Sequence, residues 1–183
     1  MPDTTNEKSG LKIKNPETVE QLNKMMNELR SNQTTTHTRD INNPQTINYL
    51  ALFTGDDKKL KVSAVAALGK QLKKEVFRVD LSGILSKYIG ETEKNLETVF
   101  AKATQKDWIL FFDEADALFG KRTDVKDAHD KYANQEVSYL LQKLETFNGL
   151  AILASNKKNN IDTGFLSRLR SIVHFDEPQD PDK

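Results

Sequence analysis

Two acidic residues, Asp113 and Glu114, follow directly on the apolar run WILFF. An uninterrupted apolar run is typical of a buried strand, which would deliver both carboxylates to its carboxyl end. In a phosphate-binding fold the first acid at this place holds Mg²⁺, and the second can deprotonate the attacking water. Ser155 and Asn156 follow another apolar run, LAILA, so the amide of Asn156 could position the same water. Taken singly, solvent-facing acids and a turn asparagine account for these residues as well.

The stretch GDDKKLKV, which begins at Gly55, matches part of the phosphate-loop pattern G-x-x-x-x-G-K-[ST]. The first glycine and the lysine, Lys61, are present. Leu60 replaces the second glycine. A leucine where the loop needs a positive φ costs about 1 kcal/mol or more in strain, or else the loop takes another path. Val62 replaces the hydroxyl that would bind Mg²⁺, and it offers no oxygen. The loop is therefore predicted to bind phosphate weakly or not at all.

The residues between Gly55 and Leu60 carry charges of both signs. Asp56 and Asp57 place negative charge beside a would-be triphosphate. Lys58 and Lys59 offset this only in part, because we expect them to be mobile surface charges in water.

Bulk composition excludes several function classes. The 183 residues contain 27 Lys and Arg and 27 Asp and Glu, so the zero net charge argues against general nucleic-acid binding. The chain has no cysteine, which excludes disulfides and thiolate metal sites. Its polar start resembles no signal segment, and its apolar runs are too short to span a bilayer. We expect a cytoplasmic protein that binds neither a membrane nor a specific nucleic acid.

From Asn48 onward, apolar runs alternate with amphipathic stretches. Strands are predicted at 48–53, 76–80, 108–113, 150–155 and 171–175, and helices at 62–73, 93–104 and 132–147. Strands that are apolar on both faces and alternate with helices indicate a parallel sheet covered on both sides. The expected fold is a three-layer α/β domain of P-loop type, a parallel five-stranded sheet with helices on both faces. Ligands of such folds lie at the carboxyl ends of the strands.

An N-terminal helical extension is predicted before this domain. Residues 1–14 are expected to be disordered, and 15–47 to form a helix followed by a polar linker. Asn15 can cap the helix, and Pro16 suits its first position. The apolar residues that share one helix face are Val19, Leu22, Met26 and Leu29. The helix is either a docking appendage or a helix lying on the surface of the main domain.

The order of these motifs resembles the core domain of AAA+ ATPases over residues 48–178. The resemblance rests on the glycine loop with Lys61, FFDEAD, LASN and FLSRLRSIVHFDEP, and on SKYIGETEKN, which resembles the first pore loop and the helix after it. The segment FGKRTDVKDAHDKYANQEVSYLLQKLE is similar to bacterial AAA+ proteins associated with phage-tail-like contractile injection systems. Residues 179–183 form a short tail, so the small helical lid that normally follows this core is expected to be absent.

The resemblance implies a role for each matching residue. Asp113 is the Mg²⁺-associated acid, Glu114 the water-activating acid and Asn156 the sensor of the γ-phosphate. Gly55 and Lys61 are the residues that bind the phosphates.

The resemblance also implies roles outside this cluster. Arg168 matches an arginine finger that acts on a nucleotide held by a neighbouring subunit, although a solvated cation at a helix end is the alternative. Tyr88, with Ile89, matches the pore loop that grips a threaded polypeptide, although an exposed loop tyrosine is the alternative.

Two functions follow from these observations. The first is an AAA+-like scaffold or regulatory subunit whose degenerate Walker A loop binds ATP and Mg²⁺ weakly or not at all. The second is an active Mg-dependent ATPase that remodels protein assemblies. In both, the expected partners are proteins, including other AAA+ subunits in a ring.

Overall fold

A computed structural model describes residues 13–34, 48–81, 91–118, 128–156 and 163–176. The strands are β1 (Asn48–Thr54), β2 (Val76–Asp80), β3 (Ile109–Asp113), β4 (Gly149–Ser155) and β5 (Ser171–His174). The helices are α1 (Pro16–Thr34), α2 (Lys58–Leu72), α3 (Glu91–Lys106), α4 (Ala128–Thr146) and α5 (Thr163–Leu166), with a 3₁₀ turn at Ala115–Leu118.

The five strands form one parallel sheet in the order β2-β3-β4-β1-β5. Alternate residues of β1 point to opposite faces, so Leu50 and Leu52 join one core cluster and Tyr49 and Phe53 the other. Helices α3, α4 and α5 cover the first face, and α1 and α2 cover the second. The predicted three-layer fold is therefore confirmed.

The structure differs from the prediction in two informative ways, the start of one helix and the burial of one strand. Helix α2 begins at Lys58, four residues before the predicted start at Val62, because the carboxylate of Asp57 caps it. Strand β2 is not apolar on both faces, since Phe77 and Arg78 are exposed at the edge of the sheet. Phe77 tolerates this position because its ring stacks on Trp108, with the ring centroids 5.0 Å apart.

Helix α1 lies on the sheet and covers the outer edge of β5. Its cap is as predicted, since the Asn15 side chain accepts from the Glu17 amide at 3.0 Å. The Thr18 hydroxyl donates to the His174 carbonyl, and Gln21 Oε1 accepts from the His174 amide at 2.7 Å. These contacts satisfy backbone groups that an edge strand would otherwise expose.

Several predicted segments lie outside the described residues. They are 1–12 of the expected disordered start, 35–47 of the expected linker, and the tail 179–183. Among the helices within the described ranges, none combines the length and the apolar character needed to cross a membrane.

Because α1 supplies core side chains, we expect Met25→Ala to lower the free energy of unfolding by about 2–5 kcal/mol. Met25 is 0% exposed and packs in the cluster on the second face. The matched control is Lys24→Ala, an exposed position on the same helix, with an expected change within about 0.5 kcal/mol. Urea denaturation measures both. Equal small changes would mean that α1 contributes little to the folded domain.

Candidate functional site

The carboxyl edge of the sheet gathers five of the predicted site residues. Thr54 at the end of β1 pairs with Ser155 at the end of β4, which brings Gly55 beside Asn156. Strand β3 runs on the other side of β4 and ends at Asp113, so the acidic pair joins the same edge. Lys61, in the first turns of α2, points its ammonium group into this edge.

The ammonium group of Lys61 is buried and fully hydrogen-bonded. Nζ lies 2.7 Å from the Gly55 carbonyl oxygen, 3.0 Å from that of Ser155 and 2.7 Å from Asn156 Oδ1. A lysine ammonium has three donors, so these three acceptors use all of them. Burial lowers the pKa of Lys61, while the carboxylates of Asp113 and Asp116 act in the opposite direction.

A three-residue connection, 55–57, joins β1 to α2. Gly55 has a φ of +117°, and a Cβ there would lie 2.6 Å from the carbonyl oxygen of Phe175. Glycine is therefore required at this position. Asp57 ends the connection, and its Oδ1 accepts from the Leu60 amide at 2.8 Å as the helix cap. Leu60 and Val62 lie within α2, and Val62 is 37% exposed.

Two cations hold the acidic pair. The Arg78 guanidinium donates to Asp113 Oδ2, and Lys58 Nζ lies 2.5 Å from Glu114 Oε1 and 3.6 Å from Asp113 Oδ2. The hydrogen bond to Glu114 raises the pKa of Lys58. Lys58 is an exposed surface charge, and it also pairs with the acidic residues because the early start of α2 places it near the end of β3. Arg78, Asp80, Asp113 and Glu114 line a cleft here.

Asp116 fixes the end of β4 and was not predicted as a site residue. Its Oδ1 accepts from the Ser155 hydroxyl at 2.7 Å and from the Asn156 amide at 3.2 Å. This contact sets the position from which Asn156 Oδ1 reaches Lys61. Arg78 and Asp116 were both overlooked. The sequence signal for Arg78 was a cation inside a predicted strand, and the signal for Asp116 was an acid two residues after the acidic pair.

The other predicted site residues lie apart from this cluster. Arg168 precedes β5 and pairs with Glu145 near the end of α4, at the amino edge of the sheet. The structure therefore does not bring it to the carboxyl edge of its own chain. Tyr88 and Ile89 lie outside the described residues.

The fit of a metal and a phosphate to this edge is poor in the observed arrangement. Lys61 has no donor left for a phosphate, and Asp113 already accepts from Arg78. Val62 offers no oxygen at the hydroxyl position of the pattern. Within the ranges that the structure describes, no group of three or more His, Asp and Glu side chains could hold a metal ion.

Comparisons with known proteins agree with this architecture. A family profile described as "ATPase family associated with various cellular activities (AAA)" matches residues 51–177. Cell division protein C of Sulfolobus acidocaldarius is 31% identical over 127 residues, which cover 64% of this chain and 34% of that protein. The uncharacterized AAA family ATPase y4kL of Sinorhizobium fredii is 30% identical over 130 residues, which cover 70% of this chain and 39% of that protein.

A solved structure shows the same fold. The AAA domain of FIGL-1, determined in complex with ADP, aligns with a TM-score of 0.57 and 21% sequence identity, covering 75% of this chain and 46% of that one. The chain spans well under half the length of the two curated relatives. The profile covers most of the sequence, and the fold agrees with it: this chain belongs to the AAA family and carries an AAA ATPase domain.

Proposed function

We propose that this AAA domain binds Mg·ATP weakly or not at all and acts as a scaffold or regulatory subunit. The observation that carries the proposal is the state of Lys61, whose three donors are all bonded to Gly55, Ser155 and Asn156. A phosphate would have to displace these buried acceptors, and an unsatisfied buried acceptor costs about 1–3 kcal/mol. A lysine whose donors are all hydrogen-bonded within the chain is a poor phosphate ligand.

The backbone of the loop supports the same proposal. A phosphate loop wraps its ligand with successive amide groups. Here only residues 55–57 lie between β1 and α2, and the Leu60 amide donates to the Asp57 carboxylate, so it is not available to a phosphate. Asp56 and Asp57 add negative charge where a triphosphate would lie, which disfavours its approach.

The partners that we propose are proteins, including other AAA subunits in a ring. Arg168 lies at the amino edge of the sheet, opposite the carboxyl edge that holds Lys61, and we propose that this amino edge faces a neighbouring subunit. We propose that Arg168 acts there on a nucleotide held by an adjacent subunit. The proposed setting is the cytoplasm, in bacterial contractile injection systems, the latter on the resemblance of the segment after the acidic pair; SKYIGETEKN supports only the proposed pore loop. Parts of both segments lie beyond the described ranges.

An active Mg-dependent ATPase that remodels protein assemblies is the second candidate. The observation that favours it is the gathering of Asp113, Glu114 and Asn156 at one edge of the sheet. Glu114 retains an exposed side chain, at 61% of its accessible surface, so a water could reach its carboxylate. The proposed roles of these residues are those that the resemblance gives them.

We expect Mg·ATP to bind this chain no more tightly than about 1 mM, which corresponds to a binding free energy of only ~4 kcal/mol. The physical reason is that a phosphate must compete with the internal acceptors of Lys61. Isothermal titration calorimetry of the purified chain with Mg·ATP and Mg·ADP measures the affinity. A micromolar dissociation constant for either nucleotide would contradict the proposed function.

We expect Lys61→Met to lower the free energy of unfolding by about 2–4 kcal/mol, because it leaves the buried Gly55 and Ser155 carbonyls without their donor. The matched control is Lys59→Met, an exposed position on the same helix, with an expected change within about 0.5 kcal/mol. Denaturant unfolding without nucleotide measures both. If Lys61→Met left stability unchanged, the ammonium group would be free for a ligand, against the proposal.

For the second candidate, any ATP hydrolysis by this chain should fall at least about 100-fold in Glu114→Gln, because an amide cannot accept the proton of the attacking water. Glu97→Gln, which removes a surface carboxylate from α3, is the control and should leave turnover unchanged. A phosphate-release assay measures both variants. Equal turnover in the two would assign the activity to a different site or protein and exclude this role for Glu114.

A further inference from the structure

Two adjacent residues of opposite charge stand at the start of α2, where a metal–phosphate ligand would meet an AAA domain. We propose that Asp57 and Lys58 supply the negative and the positive charge of such a ligand from within the chain, so that the first turn of α2 closes its own site. This inference rests on the proposed function and accounts for how the closed state is held.

Asp57 takes the place of the anion. The amide groups of a helix start are unpaired and attract negative charge, which is the basis of phosphate binding at such positions. In this chain the Asp57 carboxylate accepts from the Leu60 amide at 2.8 Å. A carboxylate covalently fixed next to the helix has a large advantage over a free phosphate, because it loses little translational freedom.

Lys58 takes the place of the cation. Its ammonium group lies 2.5 Å from Glu114 Oε1 and 3.6 Å from Asp113 Oδ2, and Arg78 donates to Asp113 from the other side. The acids that the family resemblance assigns to Mg²⁺ and to water activation are thus neutralised by the chain itself. A divalent cation would have to approach against the positive charge of both side chains.

The two contacts are adjacent at the start of one helix. Asp57 caps α2 and Lys58 is its first residue, and this start places the Lys58 side chain near the end of β3. In this proposal the Asp57–Lys58 pair blocks the site to phosphate and metal ions, in addition to the effect of the missing glycine and hydroxyl. Restoring Gly at Leu60 and Thr at Val62 would leave both charges in place.

The sequence Asp56-Asp57-Lys58-Lys59 offers a matched test, because its outer pair has the same charges as its inner pair. The opened variant is Asp57→Gly with Lys58→Gln, and the control is Asp56→Gly with Lys59→Gln. Glycine is tolerated at a helix N-cap, so the opened helix is expected to persist. The full chain is titrated with Mn²⁺ by electron paramagnetic resonance, and separately with inorganic pyrophosphate by calorimetry.

We expect the opened variant to bind Mn²⁺ and pyrophosphate each at least about tenfold more tightly than the wild-type chain. The control should gain clearly less than the opened variant for both ligands. Adding Asp113→Asn to the opened variant should abolish the gain for Mn²⁺ while leaving the gain for pyrophosphate. The proposal is overturned if either gain is missing, or if the control gains as much.

Folding is monitored by circular dichroism. If the opened variant does not fold, Lys58→Gln alone is compared with Lys59→Gln for Mn²⁺ binding, and equal affinities overturn the proposal. Lys58 is suited to this because 45% of its side chain is exposed, so its loss leaves no cavity. The test is separable from that of the proposed function. Micromolar Mg·ATP binding by the wild-type chain would refute the proposed function. Unchanged Mn²⁺ and pyrophosphate affinities in the opened variant would refute only the role proposed here for Asp57 and Lys58.

Discussion

The buried ammonium group of Lys61 joins helix α2 and the adjacent loop after β1 to the end of β4, which lies 94 residues further along the chain. Burying a cation is unfavourable unless hydrogen bonds replace its water. Here three neutral oxygens do so, and the nearby carboxylates of Asp113 and Asp116 offset part of the remaining cost. Gly55 and Asn156 each contribute one of these acceptors. The carboxyl edge of the sheet is ordered around this group.

The same contact is compatible with the weak phosphate binding that we propose for an intact AAA fold. In a phosphate loop the ligand accepts hydrogen bonds from the lysine and from the helix start. In this chain carbonyl oxygens and the Asp57 carboxylate accept them. The donors are satisfied in either case, so the sheet and α2 need no ligand to complete their hydrogen bonds. Leu60 and Val62, at the second glycine and hydroxyl positions of the pattern, are thus compatible with the fold, which two core clusters stabilise from both faces.

The sequence predicted the sheet because β1, β3 and β4 are apolar runs buried on both faces, a pattern typical of the central strands of a covered parallel sheet. It also predicted that Gly55, Asp113 and Asn156 would meet, since each lies at the end of a strand and parallel strands end at one edge. The start of α2 could not be predicted. The phosphate-loop pattern assigns residues 58–61 to the loop, whereas the bond from the Leu60 amide to the Asp57 carboxylate makes them the first turn of α2. The pairing of Lys58 with the acidic residues joins positions distant in sequence, so only the fold reveals it.

The site around Lys61 and the position of Arg168 lie at opposite edges of the sheet, so a change at one does not alter the other. Lys61 and the acidic pair lie at the carboxyl edge, whereas Arg168 pairs with Glu145 at the amino edge. The contacts of Lys61 and of the acidic pair therefore impose no steric or electrostatic constraint on Arg168, whose side chain is 49% exposed. An ion pair between two such exposed groups is worth about 1 kcal/mol or less, so a neighbouring phosphate could compete for the guanidinium at little cost. We therefore propose a regulatory role in a ring over an inert one: a subunit that binds no nucleotide itself would still present Arg168 to the nucleotide of a neighbour.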